Sequence, residues 1–510
     1  MKFQNSYQMI FVNILATTLF AVLAIPVGVL AQSAAPANPP MPFHHYKLIE
    51  IPTLGGPLSF LSGPESQVLN NQGTFAVYVD TATPNPNANC AIPFNANGGG
   101  GDCFVEHAAL WHNGTLTDLE LLPGGANGQT GAISASGLVE GWSENGQLDS
   151  AGLPVGRATL WTKEGKITDL GAVPGGTSSL ATALNNLGHV VGFSDNDIPD
   201  AFSMAGVANQ TRAFLWQNGV IKDLGTLGGT DALPFFVNEA GQVGGVSYTN
   251  SAFSMNCSFP LTTHAFFYEN GKMTDLGTFG GSCSGFGYMN NRGQVIGYAN
   301  TPDENNHAFL WDKQSGLMNL GELPGGLYSG AQWINEAGEV VGGSDGGTFF
   351  HATLWKNGAV IDLGTVYGET CSEANSINSA GQIVGFASAD CFSEDHAFLA
   401  EHGSIIDVNT LVVGGSGVTA LNAFDINDRG EIAGFGVLPN GNARAVLLVP
   451  CDGNHPNLQG CDYSMVQASS SNAPVAAKPV RLSRANMMMR LRARMADRYG
   501  LRGMPHTAPK

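Results

Sequence analysis

Over most of the chain, apolar and polar positions alternate in short runs broken by glycine-centred turns, and the same four runs return in the same order. Residues 330–364 hold one cycle. "GAQWIN" (330–335) reads as a strand, because alternate side chains of a strand face opposite sides. "NEAG" reads as a turn, since Asn can bond its own backbone ahead and Gly tolerates positive φ. "EVVGGS" and "HATLW" are the second and third strands, and "KNG" is a hairpin turn of the primed type. "AVIDLG" is the fourth strand. Each unit therefore predicts four antiparallel strands, A to D.

The third run starts with His or Arg followed by Ala, at His107, Arg157, Arg212, His264, His307, His351, His396 and Arg444, spaced 43 to 55 residues apart. An apolar-Asn-x-x-Gly turn recurs eight times, from "LNNQG" (69–73) to "INDRG" (426–430), with Ser in place of Asn in "ISASG" (133–137). Four strands in such a period is the signature of a propeller blade. A lone four-stranded sheet cannot bury both faces, whereas sheets stacked around an axis can. The ends complete the pattern. "YKLIEIPTLGG" (46–56) matches only strand D and its loop, and "RAVLLV" (444–449) matches only strand C. The expected fold is all-β, an eight-bladed β-propeller of four-stranded blades closed by the N-terminal strand, with seven blades as the alternative count.

Composition agrees, with 68 Gly and 12% charged residues favouring short strands over long helices. Residues 1–31 read as a signal peptide: Lys2, an apolar run over 10–30, and Ala31 at an A-x-A-like cleavage position. A linker (32–45), the propeller (46–450), a disulfide loop with a flexible linker (451–477) and a basic tail (478–510) follow. No second stretch is long and apolar enough to span a membrane. Residues 32–477 carry 12 Lys+Arg against 40 Asp+Glu, a net of −28, which argues against nucleic acid as a partner. The tail carries 9 Lys+Arg and one acid, a net of +8; a short basic helix at a membrane surface competes with a plain solvated tail, and its imperfect apolar face favours the solvated tail. The eight cysteines fall in neighbouring pairs, suggesting Cys90–Cys103, Cys257–Cys283, Cys371–Cys391 and Cys451–Cys461. An even set of cysteines and a signal peptide point to a secreted, periplasmic or cell-surface protein.

The phrases "HAFLW", "DLGTLGG" and "IN--GQVVG" resemble the HAF repeats of bacterial extracellular proteins over about residues 46–450. The resemblance implies export and a repeat architecture, and supplies no catalytic residues. The sequence departs from the pattern where Ala400 and Leu448 replace the aromatic of strand C and Asn319 replaces the strand-D Asp.

Recurrent His invites a metal or acid–base role, but Arg fills the same slot in three blades, so the slot asks for a donor. With Asn113-Gly114 centring a hairpin, Asp118 falls opposite Ala109 and diagonal to His107, predicting one polar pair per blade. "GGSDG" (342–346) matches the G-x-S-x-G nucleophile elbow, yet it lies where "GWS", "GFS" and "GVS" stand in other blades and lacks the strand-to-helix context. "DNDIPD" (195–200) has the acids of a calcium loop without its Gly and closing Glu, so calcium is only a possible ligand and no cofactor is expected.

All long insertions (82–106, 195–211 and 248–263) fall between strands B and C, at the end shared with the D–A loops. Long loops on a rigid scaffold are where binding concentrates. The candidate contacts are therefore Asp195, Asp197, Asp231, Tyr328, Glu369 and Glu373. No His outside the repeat slot lies on that face, which disfavours His-based acid–base chemistry. The reading is a monomeric, secreted, non-enzymatic module binding an extracellular glycan or protein. The alternatives are a carbohydrate-active enzyme using loop carboxylates and a cell-surface structural protein.

Overall fold

Asn113, Asn218, Asn270 and Asn357 adopt φ of 49°, 51°, 52° and 52°, each followed by a glycine at φ between 75° and 85°. Two successive left-handed residues make the primed turn whose twist matches paired strands, and each one folds a strand C back onto its strand D. This computed structural model describes residues 42–466, apart from 63–65, 87–102, 150–151, 207, 390, 392, 394–395 and 416. The expected signal peptide, the basic tail and Cys90 lie outside the described residues.

The described residues form a β-propeller of eight four-stranded antiparallel blades in sequence order, with blades 6 and 7 joined by one parallel pair, Phe350 with Cys371. Blade 1 is Gly55–Phe60, Phe75–Pro84, Phe104–His112 and Thr115–Asp118. Blades 2 to 7 follow over residues 128–171, 179–223, 232–275, 284–319, 329–364 and 371–407. Blade 8 is Thr419–Ile426, Ile432–Val437 and Ala443–Pro450, completed by Tyr46–Glu50 as strand D, with Tyr46 opposite Pro450. The N-terminal strand thus closes the ring and removes both open edges.

Strand C supplies the wedge. Phe309 and Trp311 of blade 5 pack with Phe267 of blade 4, while Ala308 and Leu310 pack with Trp333 and Val341 of blade 6. The large face meets the preceding blade and the small face the following one. The first Ser of strand A stitches the same interface. Ser59, Ser179, Ser284, Ser329 and Ser372 accept the N–H of Ala445, Ala158, Ala265, Ala308 and Ala352, the Ala of the repeated phrase.

The repeated Asn does more than make its turn. Asn290 Oδ1 accepts the N–H groups of Arg292 and Gln294, and its Nδ2 donates to the Asn335 carbonyl of the next blade at 3.2 Å. The same link runs from Asn185 to Asn238, Asn238 to Asn290, Asn335 to Asn378, Asn378 to Asn427, Asn427 to Asn70, and Asn70 to Ser134. A belt of amide bonds circles the short-turn end.

Residues outside the expected propeller limits join the body. Phe43–His44 pairs with Met465–Val466, and Phe43 is fully buried against Tyr46 and Leu411. Cys451–Cys461 closes a loop whose His455 is held between Glu431 Oε1 (3.1 Å) and Asp452 Oδ1 (2.7 Å).

Candidate binding face

The B–C insertions expected as loops are strands for much of their length. In blades 1 to 4 strands B and C run on past the body as hairpin arms, pairing Pro84 with Phe104, Leu148 with Pro154, Pro199 with Asn209 and Phe253 with Leu261. In blades 5 to 8 strand B stops at Asn300, Asp345, Ser388 and Val437. Every arm shifts register at the same place, after Asp80, Glu144, Asp195 and Tyr248. A register shift of this kind bends the bulged strand, so each arm kinks where it leaves its blade. Asn, Asp, Gly and Pro in these stretches read as turn formers, while the ladder continues through the backbone.

The six expected contacts are placed among these strands and loops. Asp195 is in strand Val190–Pro199, where its Oδ1 accepts the N–H groups of Thr177 and Ser178 at 2.7 and 2.8 Å, clamping the D–A loop. Asp345, Glu144 and Asp80 do the same for Leu327 and Tyr328, for Ala126 and Asn127, and for Leu58. Asp231 is fully buried and accepts the Met204 N–H at 2.7 Å, tying arm 3 to blade 4. Burial, helped by the like charge of Asp200, pushes its pKa up to about 7. Tyr328 is buried against Phe350, Cys371 and Cys391. Glu369 faces the His396 ring at 3.4 Å, and Glu373 is in strand Cys371–Ile377, where it accepts from Gln332 Nε2. Of the six, Asp197 alone is open to solvent. The residues fall on blades 3, 4, 6 and 7 rather than at one point, because the repeat grammar that made them conspicuous also gives them neighbours.

Exposed apolar side chains mark the face instead. Leu148, Ile198, Phe202, Phe253 and Met255, at 45–69% exposure, stand on the arms of three consecutive blades. Exposed Leu327 and Tyr367 are on D–A loops of the same end. Single exposed apolar residues are ordinary, but these recur at one end of neighbouring blades. The arms are tied down: Tyr248 Oη donates to the Phe202 carbonyl, and Cys257–Cys283 anchors arm 4 to the D–A loop before blade 5. Apolarity within polar arms was the missed signal; only the fold shows which such residues lack cover.

Seven of the eight repeated His and Arg residues meet a carboxylate on strand D: His107–Asp118, Arg157–Asp169, Arg212–Asp223, His264–Asp275, His351–Asp362, His396–Asp407 and Arg444–Glu50. Where Asn319 replaces Asp, His307 also reaches Glu322 at 2.7 Å. Ser344 of "GGSDG" is fully buried, accepting from Leu323 N–H, as Ser143, Ser194 and Ser247 do from Leu122, Val173 and Leu227. Among the described residues no group of three or more His, Cys, Asp or Glu is placed to hold a metal.

No family model and no curated protein matches the chain. Among solved structures it is similar to an oligogalacturonate lyase in complex with manganese, at 10% identity and TM-score 0.42, over 80% of this chain and 98% of that one. It is also similar to the β-propeller domain of the trilobed protease from Pyrococcus furiosus (10%, TM-score 0.37, 82% and 98%). A third is dipeptidyl peptidase 4 of Porphyromonas gingivalis (9%, TM-score 0.40, 68% and 51%).

Proposed function

We propose that the chain is an exported binding module that holds an extracellular protein against the arms of blades 2, 3 and 4. The observation that carries this reading is the set of exposed Leu148, Ile198, Phe253 and Met255 on neighbouring arms, of which arms 3 and 4 are anchored by Tyr248 and by Cys257–Cys283. Aliphatic and Met side chains suit a protein surface, and a pre-ordered face loses less entropy on binding. Export is supported by the HAF-type phrases, whose family is part of this proposal, and by disulfides 257–283, 371–391 and 451–461, which persist in oxidising compartments. No helix of the described residues is long and apolar enough to cross a membrane. The carboxylate-enzyme alternative gains no support from Glu369 and Glu373, which are drawn into His396 and Gln332.

Photoreactive residues at positions 148 and 253 test the reading in envelope and culture fractions. One protein should be captured at both positions and lost when Ile198 and Met255 become Ser. Retention by that variant overturns the proposal. Exposed rings of Phe202 and Tyr367 are the observation that favours a glycan. A glycan-array signal abolished by Phe202→Ala and Tyr367→Ala would put the glycan reading in its place.

A further inference from the structure

The two ends of the propeller differ in charge. The seven lysines of the described chain, from Lys47 to Lys356, lie on the C–D turns or beside the short-turn end, as do Arg292 and Arg429. Lys47 donates to the Gln459 carbonyl of the C-terminal loop, and Lys222 projects over the Tyr268 ring near the next C–D turn. The three remaining arginines, Arg157, Arg212 and Arg444, are each paired with a carboxylate of their own blade. Among the described residues the arm end therefore presents no lysine, and its three arginines are committed to carboxylates. Its tips carry exposed Asp149, Asp197 and Asp303 beside the exposed apolar residues. Burial raises the pKa of Asp345 against its hydrogen bonds from Tyr328 and Leu327, and the neighbouring Glu322 raises it further while His307 lowers it.

One segment of the same chain has the complementary chemistry. Residues 478–510 carry 9 Lys+Arg, one acid, and Met487, Met488, Met489, Leu491 and Met495 interleaved with arginines. The last described residue, Val466, is paired with Phe43 beside the start of blade 8's strand D, at the short-turn end. Residues 467–477 can span about 37 Å when extended, while a six-residue strand is about 20 Å long. The tail can therefore pass the height of a blade.

We propose that the basic tail, residues 478–510, docks on the arm face of its own propeller, Arg against the exposed acids and Met against the exposed apolar tips. The idea rests on the arm face being the binding surface. It makes the tail an internal occupant that an external partner must displace, and it makes that partner cationic.

The test uses the mature chain, residues 32–510, and zero-length carbodiimide coupling of amines to carboxylates. Lys478 and Lys510 are the tail's only lysines. They should couple to Asp149, Asp197 or Asp303, and coupling should be lost at about 0.5 M salt, where screening shortens the Debye length to about 4 Å. It should also be lost when Arg490, Arg492 and Arg494 become Gln. Coupling to Glu239, Glu336 or Asp428 on the short turns overturns the proposal, as does coupling only between unlabelled and heavy-nitrogen copies. No coupling to the body, with the tail instead binding phosphatidylglycerol vesicles, overturns it too. The two readings fail separately. Partner capture that needs the arms but comes without tail coupling removes only this inference. Tail coupling with capture indifferent to the arms removes only the proposed function.

Discussion

Asp425 is buried in strand A of blade 8, accepting the Leu69 N–H of blade 1 and facing the Ser376 hydroxyl of blade 7. Burial pushes its pKa up to about 7, and burial does the same to Glu140, to about 8. A folded-state pKa above the unfolded one means stability fully present below about pH 4 and lost as pH rises through about 7. The loss for Asp425 is about 4 kcal/mol by pH 8. Asp425→Asn should therefore flatten the melting temperature between pH 5 and 8 and exceed wild type at pH 8; parallel curves would contradict the buried neutral acid. The slot pairs behave differently. Burial opposes the charge on Asp275, but bonds from His264 and the Gly277 N–H outweigh it and hold the pKa below the usual range. Asp275→Ala should cost about 1 kcal/mol, read as a lower melting temperature at pH 6–7. Asp118 and its equivalents could be foreseen because a two-residue turn fixes hairpin register. Asp425 could not, because its partners are contributed by two other blades.

Strand B of seven blades carries one glycine that pattern reading treats as mere composition. At Gly141, Gly192, Gly245, Gly297, Gly342, Gly385 and Gly434 an added Cβ would fall 2.0–2.2 Å from a strand-A carbonyl oxygen. Strand A shifts register beside it, as between Ala331 and Trp333 in blade 6. A bulge there brings the carbonyl over strand B, and only glycine leaves room. Blade 6 contains its own control: Gly342 meets Gly330 O at 2.1 Å, whereas Gly330 has open space. Gly342→Ala should cost about 3 kcal/mol and Gly330→Ala under about 0.5 kcal/mol, by denaturant unfolding; equal effects would rule out the clash. The arms belong to this scale as well. Their turn-forming residues read as loop, and the ladder that makes them strands is a backbone property.

The ring as a whole is held by closure and by the amide belt. Tyr46 Oη reaches the Gly430 carbonyl, and Leu48 is buried in blade 8's core. Deleting residues 46–50 should open the ring, seen as a lower melting temperature and loss of monodispersity in sedimentation; an unchanged protein would contradict closure. The belt lacks one link, because Ser134 in blade 2 has no amide to offer the Asn185 carbonyl. Its hydroxyl accepts the Leu138 N–H, the job Asn Oδ1 performs elsewhere. Ser134→Asn should complete the circle and add about 1 kcal/mol. Asn290→Ala, which removes one link and uncaps two N–H groups, should cost about 2–4 kcal/mol.

Strand order, the C–D pairs and the closing strand were determined by the sequence alone, and the blade number to within the choice of eight or seven. Each follows from a local rule: period-two alternation, Asn-Gly turns, and a phrase that lacks its D at one end and supplies it at the other. Tertiary structure alone decided what lies between blades. It turned the repeated Asn outward to its neighbour, forced glycine under the bulge, and buried Asp231, Tyr328 and Glu373. It also extended four hairpins into arms whose apolar tips face solvent. The Asn links join residues of different blades, 45 positions apart for Asn290 and Asn335. Whether a side chain is covered depends on the packing of the neighbouring sheet, which no local pattern encodes.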